Sequence, residues 1–378
     1  MAVRERKKRM LAFGRGESIA GRATSEGTRR FADRFAGSYV EDFYRAFGPQ
    51  LLASSIGMGT YLGACDDDED ARYVKVLSEG LARGLNLLDT AINYRCQRSE
   101  RAVGRAVHTA IESGAVARDE IIICTKGGYV PLEGEPPESR DDYAAYLKHE
   151  FFDRAVMDPS DVIAGGHCLT PRFLDNQIEA SLDNLGVTCI DVYYLHNPEQ
   201  QLETLGAEQF TNMVRAAFTS LEAKVSSGTI GVYGCATWSG FRVFAANRSH
   251  LSLSLLTQIA EEVGGKDHHF RIVQLPVNLA MPEGIRAPTQ QAKGSNTALL
   301  PLAGSMGISV VASASLMQSQ LTRDLPSGVR SVFPGMESDA QRAIAFVRSL
   351  PLSCALVGMR AIDHLDENLG AGRVLIPS

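Results

Sequence analysis

Short, nearly uninterrupted apolar runs recur along the chain, and each is followed by a segment in which apolar positions return every three or four residues. The runs are "SSIGMGT", "LNLLD", "EIIICTK", "IDVYYLH", "TIGVYGCAT", "FRIVQLPVN", "GISVVASAS" and "SCALVGM". Continuous apolar character marks strands buried on both faces, as in an all-parallel sheet. Between the runs lie helix-length stretches such as "RSERAVGRAVHTAIES", "PRFLDNQIEASLDNLG", "FTNMVRAAFTSLEAKVSSG" and "SDAQRAIAFVRSL". Val74, Val76, Leu77 and Leu81 likewise put one apolar face on a helix over Tyr73 to Arg83. Eight strand-helix units predict an α/β chain folded as a (β/α)8 TIM barrel. An open doubly wound sheet with an added domain is the alternative.

Two connections are longer than minimal units require. Gly127 to Pro171 follows the third strand and Phe241 to Phe270 the fifth, so long loops are predicted over the carboxyl ends of the strands, where barrels build their sites. A lid or specificity loop and a plain surface loop or oligomer contact weigh equally for both. Residues 1–42 predict an N-terminal extension, partly ordered or surface-lying, with residues 43–378 as the barrel domain. The first part of that extension is Arg-rich and poor in apolar residues, and Glu5, Glu17 and Glu26 argue against a transit peptide. "GMGTYLG" fails as a dinucleotide fingerprint: Gly57 and Gly59 fit, but Gly63 comes one position late and "ACDDDEDA" follows in place of a helix opening.

With 378 residues, 44% of them hydrophobic, the chain can bury a large core. Its formal net charge of -6 disfavours a nucleic-acid partner, which needs a basic binding face. Seven cysteines without C-x-x-C spacing indicate neither a disulfide framework nor a zinc knuckle. A cytoplasmic location fits this usage. No membrane partner is expected either, because no apolar stretch approaches the roughly 20 residues of a spanning helix.

The second run ends in Asp89, and a buried carboxylate is costly unless a cation holds it. Consecutive barrel strands end side by side, so Asp89, Lys126 at the end of the third run and His196 at the end of the fourth are expected to meet, with Tyr94 on the loop just after Asp89. Lys126 shares strand parity with Ile122 and Cys124, and His196 with Val192 and Tyr194, which points both inward. Each alone has a bland reading: a surface lysine, a satisfied core histidine, a loop aromatic. Together they predict an ion pair of Asp89 with Lys126, a Tyr94 phenol whose pKa of about 10 is lowered by the ammonium, and His196 bonding the same substrate carbonyl. Those four groups describe carbonyl reduction.

These segments resemble the aldo-keto reductases, NAD(P)H-dependent enzymes on a (β/α)8 barrel. The likeness runs from about Phe43 to Leu369 and is carried by "FGPQLLASSIGMGTYLG", "DTAINY", "CTKGG", "LDNLGVTCIDVYYLHNP", "VQLPVNL" and "LVGMRAIDHLDENL". It implies Tyr94 as general acid, Lys126 as its neighbour, Asp89 as counter-ion and His196 as the orienting group. For the coenzyme it implies contacts from Gly59, Thr60, Asp89, Thr237, Gln274, Ser313, Leu316, Arg360, Glu367 and Asn368, the last two at the adenine. Asn278 matches a residue of the same later motif. NADP(H) is favoured over NAD(H) because Arg360 offers a planar fork for a 2′-phosphate. The chain departs from the pattern at Ala236 and Thr237, where the family has Ser-Asn, at Ser313, where an aromatic stacks, and at Gly358 and His364, where cations stand.

Substrate contacts are expected from Tyr61, Tyr129 and Trp238, with a small carbonyl compound as the partner. No metal site is expected: His167 with Cys168, and His268 with His269, lie on separate excursions without ligand spacing. His167 and His268 are candidates for a channel lining. Cys96, beside Arg95 and Arg98, is reactive only if exposed, and a buried inert thiol is the simpler reading. The alternative function is a nicotinamide-binding regulatory or redox-sensing subunit with little turnover. A Schiff-base enzyme using Lys126 is disfavoured because Asp89 keeps that amine protonated.

Overall fold

A computed structural model describes residues 18–292 and 294–376. The eight predicted runs form eight parallel strands: β3 (Ile56–Gly59), β4 (Leu87–Asp89), β5 (Ile122–Gly127), β6 (Ile190–His196), β7 (Ile230–Ala236), β8 (Phe270–Pro276), β11 (Ser309–Ser313) and β12 (Cys354–Gly358). They close in that order, with β12 pairing back onto β3, into a (β/α)8 barrel. An antiparallel hairpin of β1 (Tyr44–Phe47) and β2 (Leu51–Ser54) precedes it.

Strand parity sorts the side chains into two apolar layers. Leu87, Ile122, Cys124, Val192, Tyr194, Ile272, Val311 and Leu356 fill the barrel interior, joined by Phe47 and Ala53 of the hairpin. The alternate positions, such as Leu88, Ile123, Tyr193 and Val273, pack outward on the helices. Gly57 belongs to the inner layer because a Cβ there would lie 2.7 Å from Cys354 Sγ and 2.9 Å from both Leu87 and Leu356.

Of the predicted extension, residues 1–17 lie outside the described residues, and residues 18–42 run beneath the barrel. Ile19 bridges to Val187, and Thr24 caps the helix Ser25–Phe35, which buries Phe31 in the outer core. The Ala23 N–H donates to Asp191 Oδ1 at 2.6 Å, while Asp191 Oδ2 meets Arg118 at 2.9 Å and the Ile123 N–H at 2.8 Å.

The connection after β5 is long, as expected, and has structure of its own: a helix Arg140–Leu147, a wide turn Lys148–Phe152, and a small core around Phe151, Met157 and Phe173. The connection after β7 differs from expectation. Only residues 237–252 are loop; Leu253–Gly264 is the barrel helix, opened by Ser252, whose side chain accepts the Leu255 N–H. The dense apolar run "LSLSLL" obscured its helical period. A third excursion, after β8, carries a small hairpin of β9 (Gln290–Ala292) and β10 (Ser295–Thr297), whose polar sequence has no strand pattern. No helix among the described residues is long and apolar enough to cross a membrane.

Candidate active site

At the carboxyl ends of the strands, Lys126 lies fully buried with its Nζ donating to Asp89 Oδ1 at 2.5 Å and to the Thr90 carbonyl at 2.8 Å. The other Asp89 oxygen accepts from Gln274 Nε2 at 2.8 Å, so one carboxylate ties β4, β5 and β8 together. The ammonium lies 5.0 Å from the centre of the Tyr94 ring. Across the cavity the His196 ring meets Tyr94 edge-on at 5.7 Å, and Tyr61 flanks Tyr94 at 5.0 Å.

Burial opposes charge on Lys126, but Asp89, aided by Tyr94, outweighs it and the lysine pKa is raised. His196 is held neutral, well below the usual histidine range, by burial and then by the nearby Lys126. Its Nδ1 has no hydrogen-bond partner among the described residues. Tyr94 departs from expectation: burial raises its pKa by more than Lys126 lowers it, so the phenol is protonated at neutral pH.

These groups open into a cavity of about 480 Å³. Gly59, Thr60, Tyr61, Asp89, Tyr94, Tyr129, His196, Thr237, Trp238, Gln274, Ser313 and Leu316 all line it, as do Asn93, Asn197, Gln318 and Ser319, which the sequence did not single out. The last two belong to a turn in which Met317, Gln318 and Ser319 all have positive φ without a glycine to announce it. Thr60 donates to the Asp89 carbonyl at 3.2 Å, and the Thr237 N–H donates to the Gln274 carbonyl at 2.8 Å. Trp238 is half exposed at the rim. It is held there by Glu199, whose Oε1 accepts the N–H groups of Trp238 at 2.7 Å, Ser239 at 3.0 Å and Gly240 at 3.3 Å.

Lys126 does not itself line the cavity, and neither do three of the candidate coenzyme contacts. Arg360 pairs with Glu69 at 3.1 Å, Asn368 is buried, and Glu367 offers its carbonyl to Gln341. Asn278 shapes a turn, bonding the Ala314 carbonyl and the Ala280 and Met281 N–H groups. His167 and His268 are buried and line no part of the cavity. Cys96 is buried beside Cys65, and its thiol is pushed up to about 12.

A parallel barrel thus carries an ion pair, a phenol and a neutral imidazole together at its carboxyl mouth. The aldo/keto reductase family model matches residues 55–325, and the chain belongs to that family. An aldo-keto reductase of Fusarium vanettenii is 25% identical over 215 residues, 55% of this chain and 54% of that one; the aldo-keto reductase AMT2 of Alternaria alternata is 29% identical over 156 residues, 39% of each. The matched part thus spans about half or less of these relatives. The fold is similar to that of an aldo/keto reductase from Klebsiella pneumoniae in complex with NADP and acetate, with a TM-score of 0.59 at 19% identity over 89% of this chain and 92% of that one. The holo form of the reductase AKR11C1 from Bacillus halodurans gives a TM-score of 0.59 at 18% identity, over the same shares.

Proposed function

We propose that the protein reduces an aldehyde or ketone to an alcohol with a nicotinamide coenzyme, and that NADP(H) is preferred. The observation that carries the reading is the buried Lys126–Asp89 pair set against Tyr94, with neutral His196 facing the same phenol. The cavity suits a coenzyme. Gly358 at the end of β12 has nothing within 4 Å of where a Cβ would stand, and Gly59 beside it has only Val357 backbone atoms, at 3.8 Å or beyond. Bare backbone therefore lines one wall, while Gln274, Thr237, Ser313 and Leu316 line the rest. A nicotinamide bound there would supply the hydride.

Tyr94, protonated and backed by an ammonium, donates its proton to the carbonyl oxygen as charge gathers there, and Lys126 stabilises the phenolate left behind. Asp89 keeps Lys126 charged and in place. His196 orients the carbonyl through a neutral ring nitrogen, which avoids placing a second cation beside Lys126. Tyr61, Tyr129 and Trp238 form the wall against which the substrate body packs. Arg360, freed from Glu69, would take the 2′-phosphate, with Glu367 and Asn368 on the adenine side.

Trp238 is the only tryptophan and stands at the cavity rim, so its fluorescence reports coenzyme binding directly. Titration with NADPH and NADH is expected to quench it, more strongly with NADPH, and a carbonyl panel with the preferred coenzyme should yield turnover. Tyr94→Phe should keep coenzyme affinity and lose about 10²- to 10⁴-fold in kcat. Full activity in that variant would remove Tyr94 from the reaction.

A further inference from the structure

The connection after β5 returns to the site at His167, which is fully buried outside the cavity. Its Nε2 lies 2.7 Å from the carbonyl oxygen of His196, which only accepts, so Nε2 carries the proton. Its Nδ1 is then an acceptor, and Gln201 Nε2 donates to it at 2.9 Å. Both partners therefore select one tautomer. Gly128 lets the three strands of chain meet: its φ is 142°, and a Cβ there would lie 3.0 Å from the His196 carbonyl oxygen and 3.1 Å from His167 Nε2.

That carbonyl closes β6, and the chain leaves the strand at the next residue. Asn197, next in sequence, takes a positive φ of 48°, in the left-handed region. The His196 ring, with Nδ1 unpartnered, has no hydrogen bond there to set its angle. What remains to aim it is its backbone and the edge contacts with Tyr94 and Tyr129, the latter at 5.0 Å. His167 governs both, because its ring also meets Tyr129 edge-on at 4.8 Å and its backbone bridges to the same residue.

We infer that His167 is a positioning residue: through its Nε2–H bond to the His196 carbonyl it sets the angle at which His196 faces Tyr94 and the substrate. This inference rests on the proposed reduction only for its effect on turnover. The long connection after β5 is then part of the catalytic wall.

The test compares His167→Phe, which keeps the ring volume and removes the donor, with His167→Gln, which keeps an amide N–H at similar reach. Turnover, coenzyme affinity by Trp238 fluorescence and imidazole ¹⁵N spectra are measured on the full chain. His167→Phe is expected to lower kcat at least tenfold, leave coenzyme Kd within twofold and shift the His196 signals; His167→Gln should recover most of each. A folded His167→Phe variant with wild-type kcat, KM and His196 signals would overturn the inference. Equal impairment in both variants would also overturn it, by making the role one of packing. If His167→Phe does not fold, the smaller His167→Leu, which also removes the donor, replaces it with the same expected direction, and unchanged His196 signals there count against the inference. If the wild-type protein reduces no carbonyl, the reaction reading fails, and the imidazole spectra alone decide the role of His167.

Discussion

Two buried bases near the cavity take opposite charge states, and their partners decide which. Lys126 keeps its proton because Asp89 stands 2.5 Å away, whereas His167 faces a carbonyl and an amide and is pushed by burial down to about 4. A depressed histidine binds fewer protons folded than unfolded, so its contribution is complete above the ordinary pKa of about 6.5 and is lost as pH falls toward 4. At about 1.4 kcal/mol per pH unit, roughly 2 kcal/mol should be gone by pH 5. Urea unfolding of wild type and His167→Gln at pH 7.5 and pH 5 checks this: the wild type should lose that much more than the variant, and parallel losses would mean His167 does not titrate as described. The Lys126–Asp89 pair was legible in the sequence, since a buried strand-end charge requires a partner and parity points both residues inward. The net direction at Tyr94 was not, because it depends on how deeply the phenol is buried. His167 was not either, since its acceptor lies on another strand and nothing in "AGGHCL" names it.

All eight barrel strands could be read from their apolar runs because each is buried on both faces. The supports of the site were harder to see, because they depend on where backbones touch. β7 shifts register against β8 between Tyr233 and Gly234, and a Cβ on Gly234 would lie 1.8 Å from the Ile272 carbonyl oxygen. Two residues further on, Ala236 pairs with Gln274, so the position of the Asp89 partner depends on this close approach. Gly234→Ala is expected to cost about 3 kcal/mol through overpacking and to weaken coenzyme binding. Gly304→Ala, within the helix Leu299–Ser305 and with nothing within 4 Å, should be neutral or stabilising. Thermal melts with fluorescence titration check both, and equal Tm values for the two variants would exclude the close contact.

Across the whole molecule, β6 links the two ends of the barrel, with Asp191 near its start and His196 at its finish. Asp191 is buried and gathers the Ala23 N–H, the Ile123 N–H and Arg118, so the segment beneath the barrel, the turn before β5 and the strand itself share one carboxylate. In parallel barrels stability is concentrated at this end and chemistry at the other. Asp191→Ala leaves Arg118 buried without its counter-ion, for which about 3–5 kcal/mol is expected. At temperatures where the variant keeps its native circular dichroism, its coenzyme Kd and kcat should stay within twofold of wild type, since the chain of contacts through Asp89, Lys126 and Gln274 does not include Asp191. A stability loss in urea without a change in affinity would establish that division of labour. A loss of affinity in the still-folded variant would instead mean that the floor sets the geometry of the mouth through the strand, and that residues 18–42 belong to the working site as much as to its foundation.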